Sequence, residues 1–296
     1  MTDSRMAAVG ASSTLLRPVR RRRRRTTPLL EGIALVVAAV VVVIAVIGPW
    51  IAPFDPTQVD IGNSLQAPSL AHLFGTDATG RDVLSRVLTG ARTTLGATAI
   101  VLAVTIVIGL LVGVLAALVG GVLDEVLMRV TDIGLALPSI VLALGIAAGL
   151  GPSLTSTVIA VSATWWPGYA RLVRTIVRDV REAEYVTAAR SLGVGRLRLV
   201  FRHILPNSLD PLYVQLTLDV AAVMLVISGL SFIGVGAQVP SSEWGAMVAA
   251  AADNATSAWW ALVFPGLAIA VTGVAFNLVG DWIRVRTDPT LRGGAR

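Results

Sequence analysis

The sequence predicts an all-α protein that crosses a membrane six times. Of its 296 residues 55% are hydrophobic and 14% charged, with a mean hydropathy of +0.77. Six apolar stretches each approach the roughly 20 residues a helix needs to span a hydrocarbon core about 30 Å thick. An ordinary soluble domain carries about 25% charged residues, so this cannot be mainly a water-soluble protein.

The chain opens with a basic tail, residues 1–31, containing the run Arg20 to Arg25. Such a run can neutralise phosphates, but it stands just before an apolar stretch, where positive charge fixes the cytoplasmic side, so no nucleic-acid partner is expected. The first span covers residues 32–52. Its apolar run continues through Trp50 and Ile51 without a small-x-small cleavage site, which marks an uncleaved helix rather than a signal peptide. An outside loop, 53–93, follows, starting with the turn formers Pro53, Asp55 and Pro56. It is too polar to span, Gly75 and Gly80 punctuate it, and Asp77 and Arg81 stand at i,i+4.

The second span, 94–119, carries Gly109 and Gly113, a small-x-x-x-small pair that permits close helix approach. Spans three to six are expected at 133–150, 153–170, 209–233 and 258–283, the fourth diluted by Ser, Thr and Gly. Residues 32–283 form one six-helix domain, and 284–296 a C-terminal tail. With an inside N-terminus, 21 of the 24 arginines fall on the cytoplasmic side, and only Arg81, Arg86 and Arg92 lie outside. This is the asymmetry of the positive-inside rule, and it places both termini in the cytoplasm.

The inside loop, 171–207, carries the most information. Arg171, Arg174, Arg178 and Arg181 recur at helical spacing, so the fourth span continues into the cytoplasm with a basic stripe. After Gly193, residues Leu197, Val200, Phe201 and Ile204 fall at i, i+3, i+4 and i+7, the pattern of an amphipathic helix. Pro206 ends it, and Asn207 or Ser208 can cap the next span.

Several chemistries are excluded. Without cysteine there is no disulfide, thiolate metal site or thiol nucleophile. All 24 basic residues are Arg, so the Lys of an ATP-binding Gly-x-x-x-x-Gly-Lys loop is missing. His72 and His203 both lie in loops, and no metal site is expected. Ser231 has no base in any span, which argues against an intramembrane protease. Ion-driven transport would leave ionisable groups at membrane depth, where each costs about 2.5 kcal/mol or more and is usually functional. Asp219, midway along the fifth span, is the one such group and a candidate for the translocation pathway. Asp132, Asp210 and Asp281 lie near cytoplasmic ends and read as structural.

The stretch Glu184-Tyr-Val-Thr-Ala-Ala-Arg-Ser-Leu-Gly193, followed after nine intervening residues by His203-Ile-Leu-Pro206, resembles the Glu-Ala-Ala loop of permease subunits of bacterial ATP-binding-cassette importers. The matching positions are Ala188, Ala189, Gly193, Leu205 and Pro206. Thr187 occupies the usual Glu place, with Glu184 nearby, and His203 an apolar one. Three further motifs are similar to the second permease of dipeptide, oligopeptide and nickel importers: Gly75-Thr-Asp-Ala-Thr-Gly-Arg-Asp-Val-Leu-Ser-Arg86 with Gly90-Ala-Arg92, Met128-Arg-Val-Thr-Asp132 with Leu137-Pro-Ser139, and Leu230-Ser-Phe-Ile-Gly-Val-Gly236.

The resemblance implies a type I importer transmembrane domain in a bacterial cytoplasmic membrane. Its partners would be a homologous second permease, two ATPase subunits and an extracytoplasmic substrate-binding protein. No cofactor is expected on this chain, with ATP and Mg on the ATPases. The ATPase-coupling residues would be Glu184, Thr187, Ala188, Ala189, Arg190, Gly193, Leu197, Phe201, Ile204, Leu205 and Pro206. Asp77, Arg81, Asp82 and Trp244 would meet the binding protein, with Trp244, Trp259 and Trp260 also read as interfacial anchors. The cargo would be dipeptides or oligopeptides, with nickel, glutathione or haem as alternatives in the same family.

Overall fold

The computed structural model describes residues 28–206 and 210–287. They form ten α-helices: α1 Pro28–Ile51, α2 Val83–Val119, α3 Gly121–Ala136, α4 Ser139–Leu150, α5 Leu154–Glu182, α6 Glu184–Ser191, α7 Arg196–Leu199, α8 Asp210–Phe232, α9 Trp244–Ala251 and α10 Trp259–Thr287. The run Arg20 to Arg25, and the caps expected at Asn207 and Ser208, lie outside the described residues.

Four helices are long and apolar enough to cross a membrane, namely α1, α2, α8 and α10, or five if α3 and α4 together make one broken span. α5, where the fourth crossing is expected over 153–170, is not among them. Ser, Thr, Trp and Pro dilute its first half and arginines follow. Its apolar demand is lowered because Ala160, Val161, Ala170, Val173 and Val177 face other helices rather than the surroundings.

Two expected boundaries are corrected. The third span is not one helix over 133–150: α3 and α4 meet at 88° across Leu137 and Pro138. Pro138 has no N–H to continue the ladder and holds Leu137 extended, at φ −100° and ψ 145°. The outside loop is also shorter than 53–93, because α2 begins at Val83. Asp82 caps that helix by accepting from Ser85 N at 2.8 Å. At 37 residues α2 is about 55 Å long and outruns a bilayer core.

α2 is the spine of the molecule. Its most extensive packing is against α5, made possible by the glycine pair. A Cβ on Gly109 would sit 2.5 Å from Tyr169 Cβ, and one on Gly113 2.6 Å from the carbonyl oxygen of Ala170. Three apolar clusters follow its length. One joins α2, α4, α5 and α8, a second joins α2, α8, α9 and α10, and a third joins α2, α5 and α8 to the segment after α5.

Candidate functional site

The element between α5 and α8 is a helical hairpin with two faces. Extended backbone at Ala183 separates α5 from α6. Gly193, at φ +79°, then turns the chain, with Gly193 N donating to Arg190 O at 3.0 Å and Val194 N to Ala189 O at 3.2 Å. That pairing satisfies the last carbonyls of α6 and needs a left-handed residue, which glycine supplies without strain. After α7 the chain widens into a π turn over Val200–Ile204.

One face of this hairpin is anchored. Val186, Leu199 and Ile204 are buried against Val173, Val177 and Leu212, with Ala189 and Val200 partly buried beside them. The other face is presented. Leu192 is 85% and Phe201 67% exposed, and Glu184, Thr187, Ala188, Arg190 and Pro206 are exposed with them. The expected stripe of Leu197, Val200, Phe201 and Ile204 therefore does not act as one face. The π turn rotates Phe201 outward while Ile204 stays buried, and Leu199 and Val186 supply the remaining anchors. Leu205 is half-buried. Nothing is described of the Leu197 side chain.

The basic stripe on α5 is engaged within the chain. Arg174 donates to Asp124 of α3 through both Nε and Nη2, and Arg178 Nη2 donates to the same carboxylate. Arg171 pairs with Asp132, in keeping with the structural reading of that aspartate, and Arg181 Nη1 donates to Ala117 O at 2.8 Å. The C-terminal end of α5 is thus tied to α2 and α3 just before the chain enters the hairpin.

The candidates for binding-protein contact lie together around the loop that precedes α2 and the start of α9. Arg81, Asp82 and Trp244 are buried and Asp77 nearly so, which leaves them little surface to offer. They hold the outer cap together. Asp77 accepts from Thr79 N and Oγ1, from Arg81 N and Nε, and from Arg86 Nη1. Arg86 Nη2 reaches Ser241 O at 2.8 Å, and His72 Nδ1 lies 2.9 Å from Asp82 Oδ1. Trp244 Nε1 donates to Val87 O and Trp260 Nε1 to Thr76 O, each at 3.0 Å. These two indoles are internal pins, and Trp259 is the exposed one of the three. Ile61, Leu70 and Leu73 are among the exposed apolar side chains of the cap, with Phe54 and Val59.

Two buried acids escaped the sequence reading, Asp124, which Arg174 and Arg178 engage, and Glu243. Glu243 is fully buried, caps α9 by accepting from Gly245 N and Ala246 N, and accepts from Ser228 Oγ at 3.1 Å. The only signal was a polar Ser-Ser-Glu run before an apolar segment. Ser231 is also buried, where its Oγ accepts from Ala237 N, a structural use of the hydroxyl.

Asp219 is buried and lines a cavity of about 370 Å³ at the α3–α4 break, walled by α5 and α8. Gln215 Nε2 donates to its Oδ1 at 3.1 Å. Among the described residues no group of His, Cys, Asp and Glu could hold a metal ion.

Residues 109–293 match the family described as binding-protein-dependent transport system inner membrane component, and residues 32–68 match the N-terminal transmembrane domain of oligopeptide transport permease C. The chain is 47% identical over 256 residues to a dipeptide transport system permease protein of Escherichia coli, covering 84% of this chain and 85% of the relative. It is 44% identical over 248 residues to a probable D,D-dipeptide transport system permease protein of the same organism, covering 84% and 83%. A di/tripeptide transport system permease protein of Pseudomonas aeruginosa is 41% identical, with 85% of each covered. Among solved structures, a methionine ABC transporter in an inward-facing conformation matches with a TM-score of 0.52 at 20% identity, over 67% of this chain and 96% of that one. The last likeness concerns the fold alone.

Proposed function

The chain belongs to the family of binding-protein-dependent transport system inner membrane components, non-catalytic multi-pass membrane subunits, and from that premise we propose that it is the permease of a peptide importer. The cargo is a dipeptide or oligopeptide, as the names of the dipeptide and di/tripeptide permeases suggest for this chain. A homologous second permease completes the pathway, two separate ATPases drive it, and an extracytoplasmic binding protein delivers to it. The missing Lys fits this division of labour, since ATP is then hydrolysed elsewhere.

The observation that carries the reading is the two-faced hairpin 184–206. Its buried face is welded to α5 and α8, while Leu192, Phe201 and Ala188 stand exposed at the cytoplasmic side, as a rigid connector to a partner requires. Ile61, Leu70 and Leu73 form the surface for the binding protein, and Asp219 lies on the pathway. Gly193→Pro, which cannot adopt φ +79°, and Ala189→Arg, which forces a charge against the anchored face, are expected to abolish uptake at normal membrane levels. Normal ATP-dependent uptake by either reconstituted variant would overturn the coupling role.

A further inference from the structure

The cavity at the α3–α4 break holds an acidic side chain with no basic partner among the described residues. Asp219 is 8% exposed and sits nine residues into α8, about 13 Å from its cytoplasmic start, well inside the membrane. Its one hydrogen bond comes from the neutral Gln215 amide, and no ion pair reaches it among the described residues. A carboxylate at that depth is costly and persists where it is used.

A second group points into the same space. Tyr169 is 2% exposed, and its hydroxyl is buried beside Asp219. Ser139, Thr164 and the indole of Trp165 complete the polar and aromatic wall. At about 370 Å³ the cavity is within the size range of small-ligand pockets, about 300–1,000 Å³.

We infer that this cavity receives the α-ammonium of the transported peptide, with Asp219 as its counter-ion and the Tyr169 hydroxyl and Trp165 ring as flanking contacts. An ammonium offers three donors to a carboxylate and a phenol oxygen, and an indole face favours a desolvated cation. A free α-ammonium is the one cationic group that every unblocked peptide carries, whatever its side chains. This site rests on the permease reading above and adds to it a chemical preference held within the membrane subunit, apart from any held by the binding protein.

The test uses the complete reconstituted transporter and compares uptake of a dipeptide with uptake of its N-acetylated form, both at concentrations that saturate the binding protein. The ratio of the two rates cancels the binding protein's own preference. Asp219→Asn is expected to lower that ratio about tenfold, as loss of one charge-assisted hydrogen bond would. Asp219→Glu should restore most of it, and Tyr169→Phe should lower it about threefold. Tyr169→Phe decides the matter if Asp219→Asn does not assemble. An equal fall for both peptides, or an unchanged ratio in Tyr169→Phe and Asp219→Asn alike, would overturn the ammonium site and leave the permease reading standing. Failure of the wild-type complex to take up either peptide would strike at the permease reading itself.

Discussion

Asp77 accepts hydrogen bonds from two arginines and from Thr79, so replacing it by Asn keeps the shape and removes the charge that the arginines require. Arg81 and Arg86 are both buried. Leaving them without a counter-ion should cost about 3–5 kcal/mol, seen as a large fall in the unfolding temperature of the purified Asp77→Asn protein or as loss of folded protein. The wild-type carboxyl also carries a pH signature. Burial pushes it up, but the Thr79 hydroxyl, Arg86 and Arg81 outweigh that and hold it below its ordinary value. Its contribution is therefore complete above the unfolded value near pH 4 and lost as pH falls through the folded value. Acid titration of thermal unfolding should show that loss in the wild type and not in the variant. The Asp77–Arg81 pair was legible from its spacing of four. The roles of Arg86, Trp260 and Glu243 were not, because their partners Ser241, Thr76 and Ser228 come from distant segments or across a turn that no local pattern reveals.

Hydropathy marks where helices run but not where they break or rotate. The apolar signal passes through Leu137 and Pro138 unchanged, so the third span read as one helix, and only the missing N–H of Pro138 bore on its bend. The first turns of α2 are polar and read as loop, yet Asp82 and Ser85 cap a helix there. In the cytoplasmic hairpin a regular helix was assumed, and the π turn shifted the buried set to Leu199 and Ile204. The glycine pair of α2 was visible as spacing, while its specific partner α5 was not. That contact gives the element its own prediction. A side chain at Gly113 would meet the backbone oxygen of Ala170 at 2.6 Å and Val173 Cβ at 2.7 Å, neither of which can swing away, so α2 and α5 must part. Gly113→Val should destabilise by about 1–3 kcal/mol or more through overpacking. Gly145→Ala in α4, where nothing lies within 4 Å of the added Cβ, should be neutral or slightly stabilising in the same unfolding assay, as expected of Ala in a helix interior.

The charge distribution links the parts into one oriented object. Under the topology expected from the sequence, 21 of the 24 arginines fall on the cytoplasmic side, and among the described ones Arg174 and Arg178 pair with Asp124 and Arg171 with Asp132. Positive charge beside spans resists translocation, so both the orientation and the tie between α3 and α5 draw on the same residues. Arg81 and Arg86 are buried in the cap, and Arg92 is held over the Trp50 ring at 5.7 Å. The orientation follows as a measurable consequence, and the absence of cysteine makes the wild-type chain a clean background for it. Leu192→Cys places a thiol on the hairpin at a position 85% exposed, and Leu70→Cys places one on the outer cap at a position 98% exposed. In intact cells a membrane-impermeant maleimide should label Leu70→Cys and leave Leu192→Cys unlabelled until the cells are opened. The reverse pattern would invert the topology and place the coupling hairpin on the side where no ATP is available to a partner. Labelling of both thiols in intact cells would mean that the charge asymmetry does not fix one orientation.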